Sequence, residues 1–395
     1  MTLPSLSSSL SSSLSLGILL LVSGFVSAAS IDEMMEAGNL LRLNGDMTAA
    51  NEVKEDIRAV APEAPHSYSF NLNTIVTELS WEESQTRFDD ALALDAEQLI
   101  RLCTESPVAI DNPDYYCGQA HFTLSYFNGI RGNYIHAGRH GTTAIDYLEA
   151  ALVDDPELIR AKMYLGVAYY YADHLPPFIK LFSKVLWFIP SGSSAKSLPY
   201  LRQVMDSEDA FNDVARYIYA TLLVKGKPTE VADALSELDI LIKRYPKNAR
   251  FQLRYVSVIV ADQRYVETLE RINTYLASEH AASLSKMDIN LLNIWAARAH
   301  LGLGQVERAI HLQKQIEFDP KNTTVPSWGL AWYELTNGQL ADVTGNRKDA
   351  IANYQKIIAL DEKTVVNPTI VSVANDALTT PYKLSGRSLT QESGP

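Results

Sequence analysis

Two neighbouring stretches of this 395-residue chain carry the same pattern of residues, one 34 positions after the other. The first covers residues 144–156 and the second residues 178–190, with further matches upstream of each. The matched pairs are Leu148 with Phe182, Ala151 with Val185, Pro156 with Pro190, Gly132 with Gly166, and Ile135 with Tyr169. A period of this length is typical of stacked repeats that each consist of one helical hairpin. The spacing therefore predicts an array of helix pairs rather than a single closed globule.

Residues 31–62 and 328–360 fit the same hairpin template. In the first of them, Gly38 is the small residue of helix A, Gly45 lies at the turn, and Ala50 and Ile57 lie on helix B. The equivalent residues of the last hairpin are Gly338, Gly345, Ala350, Tyr354 and Ile357. With these residues the chain resembles the tetratricopeptide repeat (TPR) family, whose unit is about 34 residues long. The resemblance covers most of residues 31–361 and implies an all-α, right-handed superhelical solenoid of antiparallel helix pairs.

The units between these hairpins are less regular. Phe88, Ala91 and Leu94 are expected on the helix B positions of the second unit. Between residues 103 and 132 the register is lost, so we expect an irregular insertion or a longer helix pair. The resulting division places N-terminal hairpins at 30–130 and the more regular solenoid at 131–361. The tail at 362–395 is expected to be extended and then disordered, because its periodicity fades and it is rich in Ser, Gly and Thr.

The first 29 residues predict a secretory signal peptide. A Ser/Leu run is followed by an apolar stretch at 16–26 and then by the small residues Ser27, Ala28 and Ala29, which is typical of a cleavage site. No Lys or Arg precedes the apolar stretch, so an uncleaved anchor is the alternative interpretation. The stretch is too short for a span of about 20 residues. We therefore expect a periplasmic or secreted protein with no stable membrane span after the signal is removed.

Export changes the interpretation of the two cysteines, Cys103 and Cys117. In an oxidising compartment, a pair this close in the chain often forms a disulfide. Cys103 ends an apolar helical run and Cys117 follows a helix start, so the bond would join two helices. The alternative is two buried free thiols, which behave as small apolar side chains.

The chain is acidic, with a formal net charge of -13. Nucleic acids and anionic membrane surfaces attract positively charged patches, so neither is an expected partner. The negative charge also serves solubility.

The TPR resemblance implies a concave groove lined by helix A side chains, which in that family holds peptides or partner proteins. The positions carried over to this chain are Arg160, Met163, Tyr170, Tyr171, Arg216, Arg298, Trp332 and Gln339. Simple solvation or packing between repeats is the alternative role for these side chains. The predicted helix at 178–189 is almost wholly apolar and contains Trp187 and Phe188, so it is expected to be buried or to face a partner.

No catalytic, cofactor or metal site is expected. His136 and His140 lie four residues apart on one helical face, a spacing that zinc can use, but the spacing suggests no third ligand. Ser193 lies in a Ser-Gly-Ser-Ser-Ala-Lys segment that matches neither a phosphate-binding loop nor a complete serine acyl-enzyme motif.

Three hypotheses for function follow from these patterns. The first is an exported scaffold or adaptor that binds protein or peptide partners. The second is an accessory protein for cell-envelope assembly or transport. The third is an enzyme with an unrecognised site near His136, His140 or Ser193.

Overall fold

In a computed structural model, the described residues are 30–105, 110–174, 194–224, 227–317, 325–361 and 367–384. Within these ranges the chain forms α-helices and one short 3-10 helix at Glu279–Ser283, with no β-strand. The helices are α1 (Ile31–Leu43), α2 (Met47–Val60), α3 (Pro65–Leu79), α4 (Asp89–Glu105), α5 (Pro113–Ile130), α6 (Tyr134–Asp154), α7 (Ile159–Asp173), α8 (Ser194–Met205), α9 (Asn212–Leu223), α10 (Pro228–Arg244), α11 (Ala249–Ala261), α12 (Tyr265–Leu276), α13 (Lys286–Gly302), α14 (Val306–Lys314), α15 (Ser327–Val343), α16 (Arg347–Asp361) and α17 (Pro368–Thr379). Consecutive helices pack in antiparallel pairs, which confirms the predicted all-α solenoid.

The first hairpin forms where the repeat template predicts it. Ser30 caps α1 in a reciprocal capping box with Glu33, which satisfies backbone N–H groups that have no partner within the helix. Gly45 adopts φ +82° in the turn, a conformation that costs glycine little. Ala50 and Ile57 of α2 are fully buried.

The last predicted hairpin is confirmed as well. Gly338 of α15 lies against the ring of Tyr354 on α16, where an added Cβ atom would clash with the ring. Tyr354, Ala350 and Ile357 are fully buried. The small residue that the template requires on helix A therefore makes room for an aromatic ring on helix B.

The first member of the 34-residue repeat is described, and the second only in part. Leu148 and Ala151 of α6 are buried, as are Gly166 and Tyr169 of α7. The apolar helix predicted at 178–189, including Trp187 and Phe188, lies outside the described residues. In the described chain α7 packs against α8.

Helix α4 corrects the predicted register of the second unit. Leu94, expected to face inward, is 65% exposed, and Ala91 is exposed too. The fully buried residues are instead Leu92, Ala96 and Leu99, at spacings of four and three. The buried residues of α4 contact both α3 and α5. Because they begin at Leu92 and not at Ala91, the buried face is shifted by one residue from the template position.

A long hairpin occupies the stretch where the register is lost. Helices α5 and α6 pack along their length, so the longer helix pair forms rather than an irregular insertion. Cys103 at the end of α4 and Cys117 at the start of α5 form a disulfide, with Cα atoms 5.7 Å apart. The covalent bond joins the second unit to this hairpin.

The expected extended tail is wrong for residues 368–379, which form α17. Asn367 caps the helix by accepting a hydrogen bond from the backbone N–H of Thr369. Ile370, Ala374 and Ala377 lie at spacings of four and three and pack against the end of the array, beside Ile357. The helix forms because it covers the apolar surface that the last hairpin would otherwise expose.

The N-terminal hairpins also contact helices far along the chain. The side-chain amide of Asn248, before α11, donates to the carbonyl of Leu43 at a distance of 2.9 Å. Arg250 donates to the carbonyl of Thr77 at 3.2 Å. The array therefore curves until its first helices meet α11.

Four tryptophans extend this contact toward the C-terminal units. Trp81, in the loop after α3, packs edge-on against Trp328 of α15 with ring centroids 5.3 Å apart. The ring of Trp328 also packs against that of Trp295, with centroids 6.4 Å apart, and Trp295 packs against Trp332, with centroids 5.4 Å apart. We call these four residues the tryptophan row. The guanidinium of Arg250 lies over Trp81 at one end of the row, and the guanidinium of Arg298 lies over Trp332 at the other.

Across the described ranges, the structure has no helix with the length and apolar character needed to cross a membrane.

Candidate partner-binding surfaces

Three of the predicted groove residues are buried. Met163 is 3% exposed and belongs to the main apolar core, and Gln339 of α15 is also buried. Arg216 of α9 is buried in a network of charges. These side chains are occupied by contacts within the chain itself.

The network around Arg216 centres on Asp213. The Nε atom of Arg216 lies 3.1 Å from Asp213 Oδ1, and Arg216 also pairs with Glu237. Arg244 and the hydroxyl of Tyr245 donate to Asp213 at 2.6 and 2.8 Å. Burial alone would raise the pKa of Asp213, but these hydrogen bonds hold it below its usual value. The network ties α9 to α10, and its central carboxylate, Asp213, is ionised at neutral pH.

Arg298 and Trp332 lie together on neighbouring helices. The guanidinium carbon of Arg298 is 4.3 Å from the centroid of the Trp332 ring, and its Nη1 donates to Thr336 at 3.1 Å. Its Nε is buried without a hydrogen-bond partner among the described residues. Burial lowers the pKa of Arg298 to about 10, and the phenols of Tyr265 and Tyr382 oppose that change. Aromatic rings therefore surround this buried cation in place of the carboxylate partner that a buried arginine usually has.

Tyr170 and Tyr171 behave differently although they are adjacent. The Tyr170 hydroxyl donates to the carbonyl of Leu222 at 3.0 Å, and its ring stacks on His174. Tyr171 is 57% exposed. Of the predicted groove residues with described side chains, Tyr171 presents the largest free surface to a partner.

Arg160 belongs to a cleft that the sequence did not predict. The cleft has a volume of about 360 Å³ and lies where α3, α5, α7 and α9 begin. Its walls are formed by His66, Asp111, Asn112, Tyr115, Tyr116, Asp155, Glu157, Leu158, Ile159, Arg160 and Asp209. Arg160 pairs with Asp209 at 3.3 Å and lies over the ring of Phe211. We call this concavity the edge cleft.

The edge cleft combines aromatic and acidic walls. Burial raises the pKa of Tyr116 to about 12, so its phenol is neutral at physiological pH. Burial likewise lowers the pKa of His66, although Asp32 and Asp111 oppose the change. Four carboxylates line the cleft, against the single cation of Arg160. A positively charged side chain fits this arrangement, because it would meet carboxylates on one side and aromatic rings on the other.

Sequence reasoning found Arg160 but missed the other residues of the edge cleft. The turn at 111–114 is visible as a helix start. The starts of these four helices come together only because the hairpins stack side by side. The repeat template marks helix faces and carries no information about the ends of helices.

His136 and His140 lie on the same helix, α6, but have different surroundings. His136 is exposed, whereas the Nδ1 atom of His140 lies 2.9 Å from Nδ1 of His121 on α5. His121 also stacks on Tyr147. In the described part of the chain no group of three His, Cys, Asp or Glu side chains is placed to hold a metal ion. Ser193 lies outside the described residues.

Together, the stacked antiparallel hairpins define a helical repeat protein with a TPR-like fold. No family model matches the chain, and no curated protein matches it. Among solved structures, the chain is similar to human IFIT1, in a structure described as the IFIT1 dimer with PPP-AAAA. The identity is 13%, the TM-score is 0.42, and the match covers 84% of this chain and 73% of that one.

Proposed function

We propose that this chain is an exported TPR-like scaffold that binds a protein or peptide partner without catalysing a reaction on it. Stacked helical hairpins suit this role because they present long, rigid surfaces to partners. The observation that carries the proposal is the edge cleft, whose walls include the Arg160–Asp209 ion pair and the surrounding helix starts.

The chemistry of the edge cleft favours a basic side chain of the partner. Asp111 and Glu157 are exposed at its rim, and Tyr115 and Tyr116 form an aromatic wall. A lysine or arginine inserted there gains both carboxylate and cation–π contacts. The net charge of -13 adds a long-range attraction for such a segment.

The disulfide supports the proposed export. Cys103 and Cys117 are bonded, and disulfides persist mainly in periplasmic or extracellular compartments. The proposed signal peptide at 1–29 lies outside the described residues. Cell fractionation followed by intact-mass measurement tests this part, since export predicts an oxidised chain that lacks its first residues. A reduced, full-length chain in the cytosol would contradict it.

Site-specific photocrosslinking tests the binding role. We would place p-benzoylphenylalanine at Asp111 on the rim of the edge cleft and, as a control, at Val153, which is 80% exposed. The proposal expects a discrete crosslinked partner at Asp111 and none at Val153. Identification of that partner also separates a general scaffold from an envelope-assembly or transport accessory.

Charge variants add a matched comparison. Asp111→Asn with Glu157→Gln removes two charges from the edge cleft, and Glu52→Gln with Asp56→Asn removes two exposed charges from α2. We expect only the first pair to reduce partner capture, by about tenfold if each charge pair contributes about 0.7 kcal/mol. Equal capture by both variants would show that the edge cleft is not the binding site. Substitution of His136, His140 and Ser193 with retained function would count against the enzyme alternative.

A further inference from the structure

The last described residues form a short extended segment that lies back on the array. After α17, Thr380 has φ -114° and ψ 109°, and residues 381–384 continue without helix. Tyr382 and Leu384 pack against a buried cluster formed by Ala297, Leu301, Ala309 and Leu340. Lys383, between them, is exposed. Alternate side chains therefore enter a groove between α13, α14 and α15, as expected for an extended peptide.

One backbone hydrogen bond anchors this segment. The N–H of Tyr382 donates to Oδ2 of Asp342 at 2.8 Å. The Asp342 side chain is fully buried and also accepts from Arg347 and from the hydroxyl of Tyr354, at 2.8 and 2.9 Å. Asp342 would keep two partners if the segment left, so the groove can exist without it. Any extended peptide can supply the missing N–H.

The groove is suited to a tyrosine. The Tyr382 phenol interacts electrostatically with Arg298. The guanidinium of Arg298 stacks on Trp332 and has a buried Nε atom without a partner in the described chain. The phenol of Tyr265 also interacts electrostatically with both Tyr382 and Arg298. A phenol satisfies a cation in aromatic surroundings better than an aliphatic side chain does.

We propose that residues 380–384 are a displaceable internal ligand. The groove that they occupy binds an extended segment of a partner protein, in which a tyrosine is followed two positions later by leucine or a similar aliphatic residue. The tethered segment competes at a high effective concentration, so a partner gains access when it makes additional contacts or when the segment is released. This surface is separate from the edge cleft, and the proposal goes beyond the function proposed above.

A peptide-binding experiment with the full chain tests the proposal. Tyr382→Ser with Leu384→Ser removes the two side chains that fill the groove, and Lys383→Ser is the matched control because that side chain is exposed. A fluorescent hexapeptide with the sequence of residues 379–384, Thr-Thr-Pro-Tyr-Lys-Leu, is titrated into each protein. We expect the double variant to bind the peptide at least tenfold more tightly than the wild type or Lys383→Ser. A peptide with Ser in place of Tyr and Leu should not bind, and one with Phe in place of Tyr should bind more weakly.

Hydrogen exchange on the wild-type chain gives a second measurement that needs no variant. Saturating unlabelled peptide should accelerate amide exchange of residues 382–384, because it displaces them from the groove. The proposal is overturned if a double variant with wild-type circular dichroism fails to bind the peptide, or binds the Ser-substituted peptide equally well. Peptide binding to the wild type without faster exchange at 382–384 would also overturn it, since the peptide would then bind elsewhere.

Discussion

The carboxylate of Glu82 accepts the hydroxyl hydrogen of Ser327 at 2.7 Å, although the two residues are 245 positions apart. The same carboxylate accepts the backbone N–H of Ser327 at the start of α15, and the N–H and hydroxyl of Ser84. Glu82 is 2% exposed. An acidic side chain from the second unit thus stabilises the first turn of a helix in the last hairpin.

Glu82→Gln should destabilise the chain by about 2–3 kcal/mol. The amide keeps the size of the side chain but loses one acceptor oxygen and the charge that strengthens the remaining hydrogen bonds. Urea denaturation measures the effect. Glu52→Gln, on the exposed face of α2, should change stability by less than about 0.5 kcal/mol. Equal effects of the two variants would show that the contact between Glu82 and Ser327 contributes little.

Trp81→Ala should open the contact between the N-terminal hairpins and α15. The substitution removes one ring of the tryptophan row and leaves a cavity, at a cost of about 3–4 kcal/mol. The near-ultraviolet circular dichroism of the row should weaken, while the helical signal in the far ultraviolet is retained. Val153→Ala, at an 80% exposed position, is the control. An unchanged near-ultraviolet spectrum would contradict the coupling of these rings.

Cys103→Ser with Cys117→Ser should lower the free energy of unfolding by about 3 kcal/mol, the value expected for a closed loop of about 15 residues. The two cysteines are 14 positions apart. Thermal unfolding with and without dithiothreitol provides the comparison. The reductant should lower the midpoint of the wild type and leave that of the double variant unchanged. A wild type insensitive to reductant would mean that the bond does not restrain unfolding.

Stability should fall in mild acid because of the His121–His140 pair. Burial lowers the pKa of His121 to about 4, and His140 adds to that change. In the unfolded chain histidine titrates near 6.5. The unfolded state therefore binds the additional proton as the pH falls from about 6.5 toward 4, and the stability present above 6.5 is progressively lost.

His121→Gln should reduce this dependence, since glutamine does not titrate, while His140, whose pKa is also lowered by burial, keeps a smaller part of it. We expect the wild type to lose about 1–2 kcal/mol more than the variant between pH 7.5 and pH 4.5, a value reduced for the partial exposure of the ring. Urea denaturation at the two pH values measures it. The control is His311→Gln, because His311 is exposed and lies on α14, away from this pair. Parallel losses in wild type and His121→Gln would place the acid sensitivity elsewhere.

The repeat template predicted helices well and side-chain roles poorly. Gly38, Gly45 and Ile57 could be placed because each satisfies a local requirement of a hairpin: close packing, a turn or an inner face. Arg216 and Gln339 were expected in an open groove and are buried. The partners of Arg216, among them Asp213 and Glu237, lie on α9 and α10 and bring its charge into the interior.

The small helix α17 shows where periodicity becomes too weak to use. Its buried face consists of Ile370, Ala374 and Ala377, of which two are alanines. Such a face predicts little burial by itself. The helix gains its stability from the apolar end of α16, and the position of that surface is a property of the folded array.

The sequence by itself determined the helical hairpins, because the spacing of apolar residues, the small residues and the turn glycines act over distances of a few residues. Only the tertiary structure decided that the first hairpins close onto α11 and α15, that four helix starts form the edge cleft, and that residues 380–384 occupy a groove. Each of these depends on the curvature summed over many units. A contact such as that between Glu82 and Ser327 cannot be predicted from the repeat pattern, because its two residues share no repeat position. The two residues meet only after every helix pair between them has packed.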